Sequence, residues 1–330
     1  MKIIKPNAEL LTHDIPAYQF IEKVGRTCYK SEDKITDTSA VNFVKALVKN
    51  KHLAMLEHEH LYLVFTGKHG NQLLNEFLLN ENIFTTKNRH LFNYINIDSD
   101  KLYLSGSFRS WIELFDNFRD KRVNITRFHY TLYMLLNKDY PEIFNDFFYL
   151  HEPIVYDGYE DSIVIISREE LENELKNVFI PSRLIPHTIK FTCDRGVSHE
   201  FVRHRPASFA QESTRYCNYS HEKFDNELAF IKPPFWDIES DNYASWYDIC
   251  TRSETAYLEM LKNGATPEQA RSILPNSLKT ELIITATEEE WQHIVDLRYH
   301  GTTGKPHPQM KEVMDIAYPL LVQSSEGRIK

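Results

Sequence analysis

Between Phe201 and Tyr216 the chain reads FVRHRPASFAQESTRY, gathering Arg203, His204, Arg205, Gln211, Glu212, Ser213, Arg215 and Tyr216 around a single proline. Pro206 cannot continue a helix, so the helix expected from about Gly196 to His204 must stop there. SFAQESTRY is too polar and too short to be core, and reads as an extended or looped segment continuing the same site. Within the helix, Glu200, Arg203 and His204 fall at i, i+3 and i+4 and can share one face. A short strand is expected just before it, around Ile189 to Cys193.

An RHR triplet alone is ordinarily an exposed helix end balanced by nearby carboxylates, here Asp194, Glu200 and Glu212. The wider sequence changes that balance. Arg271 and Arg298 each lie beside apolar helical faces, beyond the reach of enough sequence-adjacent acids. The 330-residue chain carries a net charge of -9, so it repels polyanions as a whole and any affinity for phosphate must be local. Guanidinium forks suit phosphate and the carbonyl edge of a base, each charge-assisted hydrogen bond contributing roughly 1.5–3 kcal/mol. Phosphorylated small molecules are the ligands this implies, rather than nucleic acid. With ten glycines and neither GxGxxG nor GxxxxGK[ST], side chains must hold them.

Four scattered cysteines without a CxxC pair argue against a zinc ribbon or a disulfide framework and suit a reducing compartment. No apolar run approaches membrane-spanning length, and a cytoplasmic, membrane-free protein is expected. His58 and His60 alternate on an expected strand, but without HExxH or a third ligand no metal is assigned. Cys217 lies near basic residues that would lower its pKa; with no positioned base it reads as a bystander thiol.

The pattern of elements is α+β, a central sheet flanked by helices. Thr38 and Ser39 start a helix that ends near Asn50. His52, Glu57 and His58 follow, where helix gives way to a strand through Leu61, Leu63 and Phe65. Residues 67–186, rich in Asn, Asp, Phe and Tyr, read as a mainly helical insertion in a single catalytic domain of residues 1–330, with NQLLNEFLL and ITRFHYTLYMLL as helical patches. Beyond the arginine-rich segment a helix spans about Tyr243 to Asn263. Thr266, Pro267 and Gln269 open another with a capping box. TELIITA is a strand, and Thr287 with Glu290 at the box position opens a helix ending at Arg298 and His300. A last helix starts at Pro308.

RHR, seven residues, then Ser213, followed by Arg215 and Tyr216, resembles the signature of the flavin-dependent thymidylate synthases. KHLAMLEH, ARSILP and the block WQHIVDLR with HPQMKEV resemble further family segments in the same order. The resemblance implies that fold and reductive methylation of dUMP to dTMP, with methylene-tetrahydrofolate as carbon donor and FAD, reduced by NADPH, as hydride source. It implies Arg298 as the catalytic residue, bound to substrate and polarising the pyrimidine, with no covalent protein nucleophile. Flavin contacts fall on His52, Glu57, Arg203, His204, Arg205, Gln211, Thr287, Glu289 and His293. Substrate contacts fall on Glu200, Arg203, Gln211, Ser213, Thr214, Arg215 and Arg271. Ala54 and Thr287 stand where other members often carry Thr and Asn, and His293 where Asn is common. A homotetramer with shared active sites is also implied. Two other readings remain: a nucleotide-binding regulatory or RNA-interacting protein without redox chemistry, and a flavin oxidoreductase without methyl transfer.

Overall fold

The computed structural model describes residues 1–67, 70, 92–98, 101–119, 127–145, 162–177 and 182–330, with the side chains of 92–98, 117–119 and 127–129 outside the description. Its strands are β1 (Lys2–Ile4), β2 (Asn7–Leu11), β3 (His60–Thr66), β4 (Phe92–Asp98), β5 (Lys101–Ser107), β6 (Ile163–Ile166), β7 (Pro186–Asp194), β8 (Ser208–Gln211), β9 (Ala229–Ile231) and β10 (Lys279–Thr287). The helices are α1 (Ala17–Tyr29), α2 (Ser39–Lys49), α3 (Phe108–Arg119), α4 (Arg127–Asp139), α5 (Pro141–Phe144), α6 (Arg168–Glu174), α7 (Arg195–Phe201), α8 (Asp241–Lys262), α9 (Pro267–Ala270), α10 (Glu288–Val295) and α11 (Pro308–Ser324). No helix among the described residues is long and apolar enough to cross a membrane.

The chain divides into two compact units. One comprises residues 1–12, 23–34 and 187–330, and the other residues 13–22 and 35–186. In the second unit, β3 pairs antiparallel with β5 and β6, and β5 with β4, giving the order β4-β5-β3-β6. Alternation along β3 decides what each face touches. Leu61, Leu63 and Phe65 join Trp111 and Phe115 of α3 and Leu132 and Leu136 of α4. Tyr62 and Val64 turn the other way, to Leu171 and Leu184.

The expectation for residues 67–186 named only helical patches, and the stretch carries strands besides its helices. The segment NQLLNEFLL lies outside the described residues, but β4, β5 and β6 all fall within this stretch and complete a sheet on β3. In KLYLSGS, Leu102 and Leu104 alternate with Tyr103 and Ser105, a period-two signal that two neighbouring helical patches obscured.

In the first unit, a four-stranded sheet runs β2-β7-β10-β8, with β2/β7 and β8/β10 antiparallel, beside the parallel pair β1-β9. Ile189, Phe191 and Cys193 of β7 and Leu282, Ile284 and Ala286 of β10 pack with Val197 and Phe201 of α7, Trp291 and Ile294 of α10, and Val313 and Met314 of α11. Trp291 is fully buried and donates from Nε1 to the His187 carbonyl at 2.8 Å. Truncating such a residue to alanine costs roughly 3–5 kcal/mol. A second core, with Trp246 and Tyr257 of α8, packs Phe230 of β9. The strand at Ile189–Cys193 and the helix from Tyr243 were expected, and each is present with slightly wider bounds.

Candidate active site

The site is built where β7 passes into α7. Asp194 caps the helix, its Oδ1 accepting from the Val197 N–H at 2.8 Å, while Gln309 Nε2 donates to Oδ2 at 2.7 Å. The helix is short, ending at Phe201 ahead of Pro206, and its last turn presents Glu200. His204 follows, buried, with its N–H bonded to the Phe201 carbonyl at 3.0 Å.

From the other side comes α10, which ends in a single π turn, Asp296–His300. Such widened turns are frequent at functional sites. The turn carries Arg298, whose guanidinium grips both features of α7. Nη1 donates to Glu200 Oε2 at 2.7 Å, Nη2 to the Glu200 carbonyl at 3.4 Å, and Nε to His204 Nε2 at 3.0 Å. Glu200, His204 and Arg298 therefore form one cluster. Burial, with Arg298, His293 and Arg203 nearby, lowers His204 to about 4, so its ring is neutral at physiological pH. His293, exposed, sets its ring edge-on to His204 with centroids 5.9 Å apart. Arg203 and Arg205 flank His204 on the exposed side, with no ion pair to a described residue.

A second cluster lies on the loop after β8. Gln211 donates from Nε2 to Ser198 Oγ at 2.9 Å and Thr280 Oγ1 at 3.2 Å, tying the loop to α7 and β10. Ser213 caps the next turn, its carbonyl accepting from the Tyr216 and Cys217 N–H groups. Thr214 is buried and accepts from Arg271 Nη1 at 3.4 Å. Arg215 pairs with Glu268 at 3.0 Å, both half exposed, an ion pair worth little in water. Glu212 turns inward, accepting from Tyr219 at 2.9 Å and Lys279 at 2.8 Å.

Thr287 caps α10, its hydroxyl accepting from the Glu290 N–H at 3.4 Å, and Glu289 is exposed on the first turn. His52 and Glu57 belong to the other compact unit, where His52 is exposed and Glu57 pairs with Arg109. That unit also holds a cavity of about 780 Å³, lined by Lys45, Lys49, Lys51, Leu53 and Ile143 among others, and by none of the expected site residues. All four cysteines are buried, and burial pushes the Cys28, Cys217 and Cys250 thiols up to about 12. None is a ready thiolate nucleophile.

One residue of the cluster was missed. Glu290, assigned from sequence to a capping box, is buried, and its Oε1 has no hydrogen-bond partner. It lies 4.0 Å from His204 Nδ1. Burial, with Glu289 adding, pushes its carboxyl up to about 7.

Residues 181–323, which span this arrangement, match the family model described as thymidylate synthase complementing protein. That stretch is similar to the flavin-dependent thymidylate synthases. A flavin-dependent thymidylate synthase of Pyrococcus furiosus is 31% identical over 144 residues, covering 42% of this chain and 58% of the relative. One from Thermococcus onnurineus is 34% identical over 106 residues, covering 32% of this chain and 42% of the relative. The chain thus spans less than two thirds of the length of these relatives. Among solved structures, a UMP/dUMP methylase from Streptomyces cacaoi bound with 5-Br dUMP aligns over 99% of this chain and 96% of its own, at 13% identity and a TM-score of 0.39, too loose a likeness to bear on the fold. The family match covers α7, the β8 loop, α9 and α10, and leaves the second unit almost untouched.

Proposed function

We propose that this protein is an FAD-dependent thymidylate synthase, methylating dUMP to dTMP with methylene-tetrahydrofolate and NADPH as co-substrates. The observation that carries this reading is the grip of Glu200 and His204 on Arg298, within the span that matches the family.

The residues fit an anionic dinucleotide cofactor. Arg203 and Arg205 are exposed cations with no ion pair to a described residue, beside the adjoining rings of His204 and His293, which suits phosphate and a flat ring system. His52, Glu57, Gln211, Thr287 and Glu289 are assigned to the flavin on the same reading. When bound, the reduced flavin supplies the hydride. Arg298, oriented by two partners, directs its charge at the pyrimidine edge and stabilises negative charge on a ring oxygen as C5 attacks the carbon donor. Glu200 can accept from the N3–H of the same ring. Ser213, Thr214, Arg215 and Arg271 hold the sugar and phosphate. With four buried cysteines, no thiol addition at C6 is invoked. Both units are taken to serve one catalytic chain in a homotetramer with shared sites, working in the cytoplasm.

The test is the visible spectrum of the purified protein, followed by anaerobic NADPH with and without dUMP and by assay of dTMP from methylene-tetrahydrofolate. Flavin bands that bleach in a dUMP-dependent way, with dTMP formed, support the reading. A colourless protein that takes up no added FAD overturns it.

A further inference from the structure

The interior around Glu290 holds more than the proposed function uses. Three potential ligand groups, on His204, Glu290 and His293, lie within 4.8 Å of one another, a spacing that suggests a metal ion. The hydrogen bonding argues otherwise. Arg298 Nε–H points at His204 Nε2 from 3.0 Å, and a guanidinium has no acceptor to offer in return. That lone pair is therefore engaged, and the neutral ring must carry its proton on Nδ1. A metal at Nδ1 would shift the proton to Nε2, against the Arg298 donor.

The same logic gives Glu290 a different role. Nδ1–H of His204 faces Glu290 Oε1 across 4.0 Å, a gap that a small side-chain rotation or one water spans. Oε1 is buried and has no other hydrogen-bond partner. A charged Glu290 accepts from Nδ1–H and reinforces the tautomer that Arg298 requires. A protonated Glu290 does the reverse, because its O–H donates to Nδ1 and drives the ring proton to Nε2, where it opposes Arg298 Nε–H.

We propose that Glu290 is a positioning residue whose protonation state sets the His204 tautomer, and through it whether Arg298 is held by His204 and Glu200 together or by Glu200 alone. As pH falls, Glu290 takes up one proton from solvent and the ring proton moves from Nδ1 to Nε2, so no reactant besides that proton is needed.

The surrounding charges are consistent with this. On its own helix, Glu289 disfavours a second charge at Glu290, and His293 stands beside His204. From the end of α7 come His204 and Arg203, and beyond them Glu200. From the π turn comes Arg298. The charged groups of the other elements packed on α10 are engaged elsewhere: Lys279 and Glu281 of β10 with each other, Lys311 with Asp315 of α11, and Glu312 near Lys5, Lys232 and Asp194. His204 ionises only near 4, far below Glu290 at about 7, so at neutral pH the titrating proton belongs to the carboxyl.

The test is ¹⁵N NMR of histidine-labelled protein, with His204 assigned by difference against His204→Gln, because ring nitrogen shifts separate the two tautomers. In the wild type, the Nδ1–H tautomer should dominate well above pH 7 and give way as pH falls through about 7. In Glu290→Gln this transition should vanish, whereas in Glu290→Asp it should persist at a displaced pH. A His204 tautomer that is constant between about pH 6 and 9, or that titrates alike in wild type and Glu290→Gln, overturns the proposal. The kinetic counterpart rests on the thymidylate synthase reading: kcat should rise through pH 7 in the wild type and lose that ionisation in Glu290→Gln, with KM for dUMP little changed. A kcat profile in which the same ionisation survives in Glu290→Gln also overturns it. The NMR result stands whether or not the protein makes dTMP, so failure of the functional reading and failure of this one are distinguishable.

Discussion

Arg328→Met tests whether a buried charge cluster holds α10, and with it the site, in place. Glu288, the first residue of α10, is fully buried. Arg328 donates to it from Nε, at 2.9 Å to Oε2 and 3.2 Å to Oε1, and from Nη2 at 2.8 Å to Oε1. His187 Nε2 lies 3.0 Å from Oε1. Methionine keeps most of the apolar stem and removes the guanidinium, stripping a buried carboxylate of its permanent cation. Counting bonds alone would overstate the loss, since both ions were already desolvated in the native state. Breaking one partner of a buried pair costs about 3–5 kcal/mol. His187 can take up a proton and partly substitute, which favours the lower end. The expected fall in thermal midpoint is roughly 6–20 °C for a cooperative unit of this size. The assay is thermal and urea unfolding followed by circular dichroism, for Arg328→Met and for Arg328→Met with Glu288→Gln. With no charge left to bury, the double variant should recover at least half of the loss. A single variant within about 1 kcal/mol of wild type, or a double variant no better than the single, refutes the reasoning.

Arg298→Ala should abolish dTMP formation while largely sparing FAD content, measured by turnover and flavin absorbance; near-normal turnover removes Arg298 from the mechanism. Arg271→Ala, which frees buried Thr214, should weaken dUMP binding by about ten-fold or more, roughly one charge-assisted hydrogen bond, and an unchanged titration curve refutes the assignment. Cys217→Ala should retain activity, since burial keeps its thiol protonated. For pH, burial alone would raise Glu281, yet Lys279, Lys30 and Lys190 hold it at about 2, below its unfolded value. Its contribution to stability is therefore complete above about pH 4.5 and lost as pH falls toward 2, and acid unfolding of Glu281→Gln should be shallower through that window.

Much of the first unit was legible because its signals are local. Asp194 caps α7, although the helix ends at Phe201 and not at His204 as read from Pro206; Thr266 and Gln269 cap α9, and the apolar run of TELIITA gives β10. The second unit was less so, because its sheet depends on pairing between strands more than thirty residues apart. Leu61 sits opposite Gly106, and Val64 opposite Val164, contacts that no window of local periodicity contains. KLYLSGS also has a glycine and two serines in its second half, a composition that on propensity alone argues against a strand. Its burial between β4 and β3 overrides that preference.

The site shows the same division within a single motif. Thr266 and Gln269, and Thr287 and Glu290, are the same T-x-x-E/Q pattern. In the first, Gln269 Oε1 accepts from the Thr266 N–H at 3.0 Å, completing the box on an exposed surface. In the second, Thr287 still accepts from the Glu290 N–H, but the carboxyl turns into the interior. The capping rule is satisfied by half of its bonds, and the local sequence cannot distinguish the two cases. What differs is tertiary: α9 is a four-residue helix whose box faces water, whereas α10 lies against the sheet with Trp291 and Ile294 buried and His204 arriving from α7. An acid at the box position of such a helix is therefore the residue to examine first, because turning inward exchanges an exposed cap bond, worth about 1 kcal/mol, for a raised pKa beside His204.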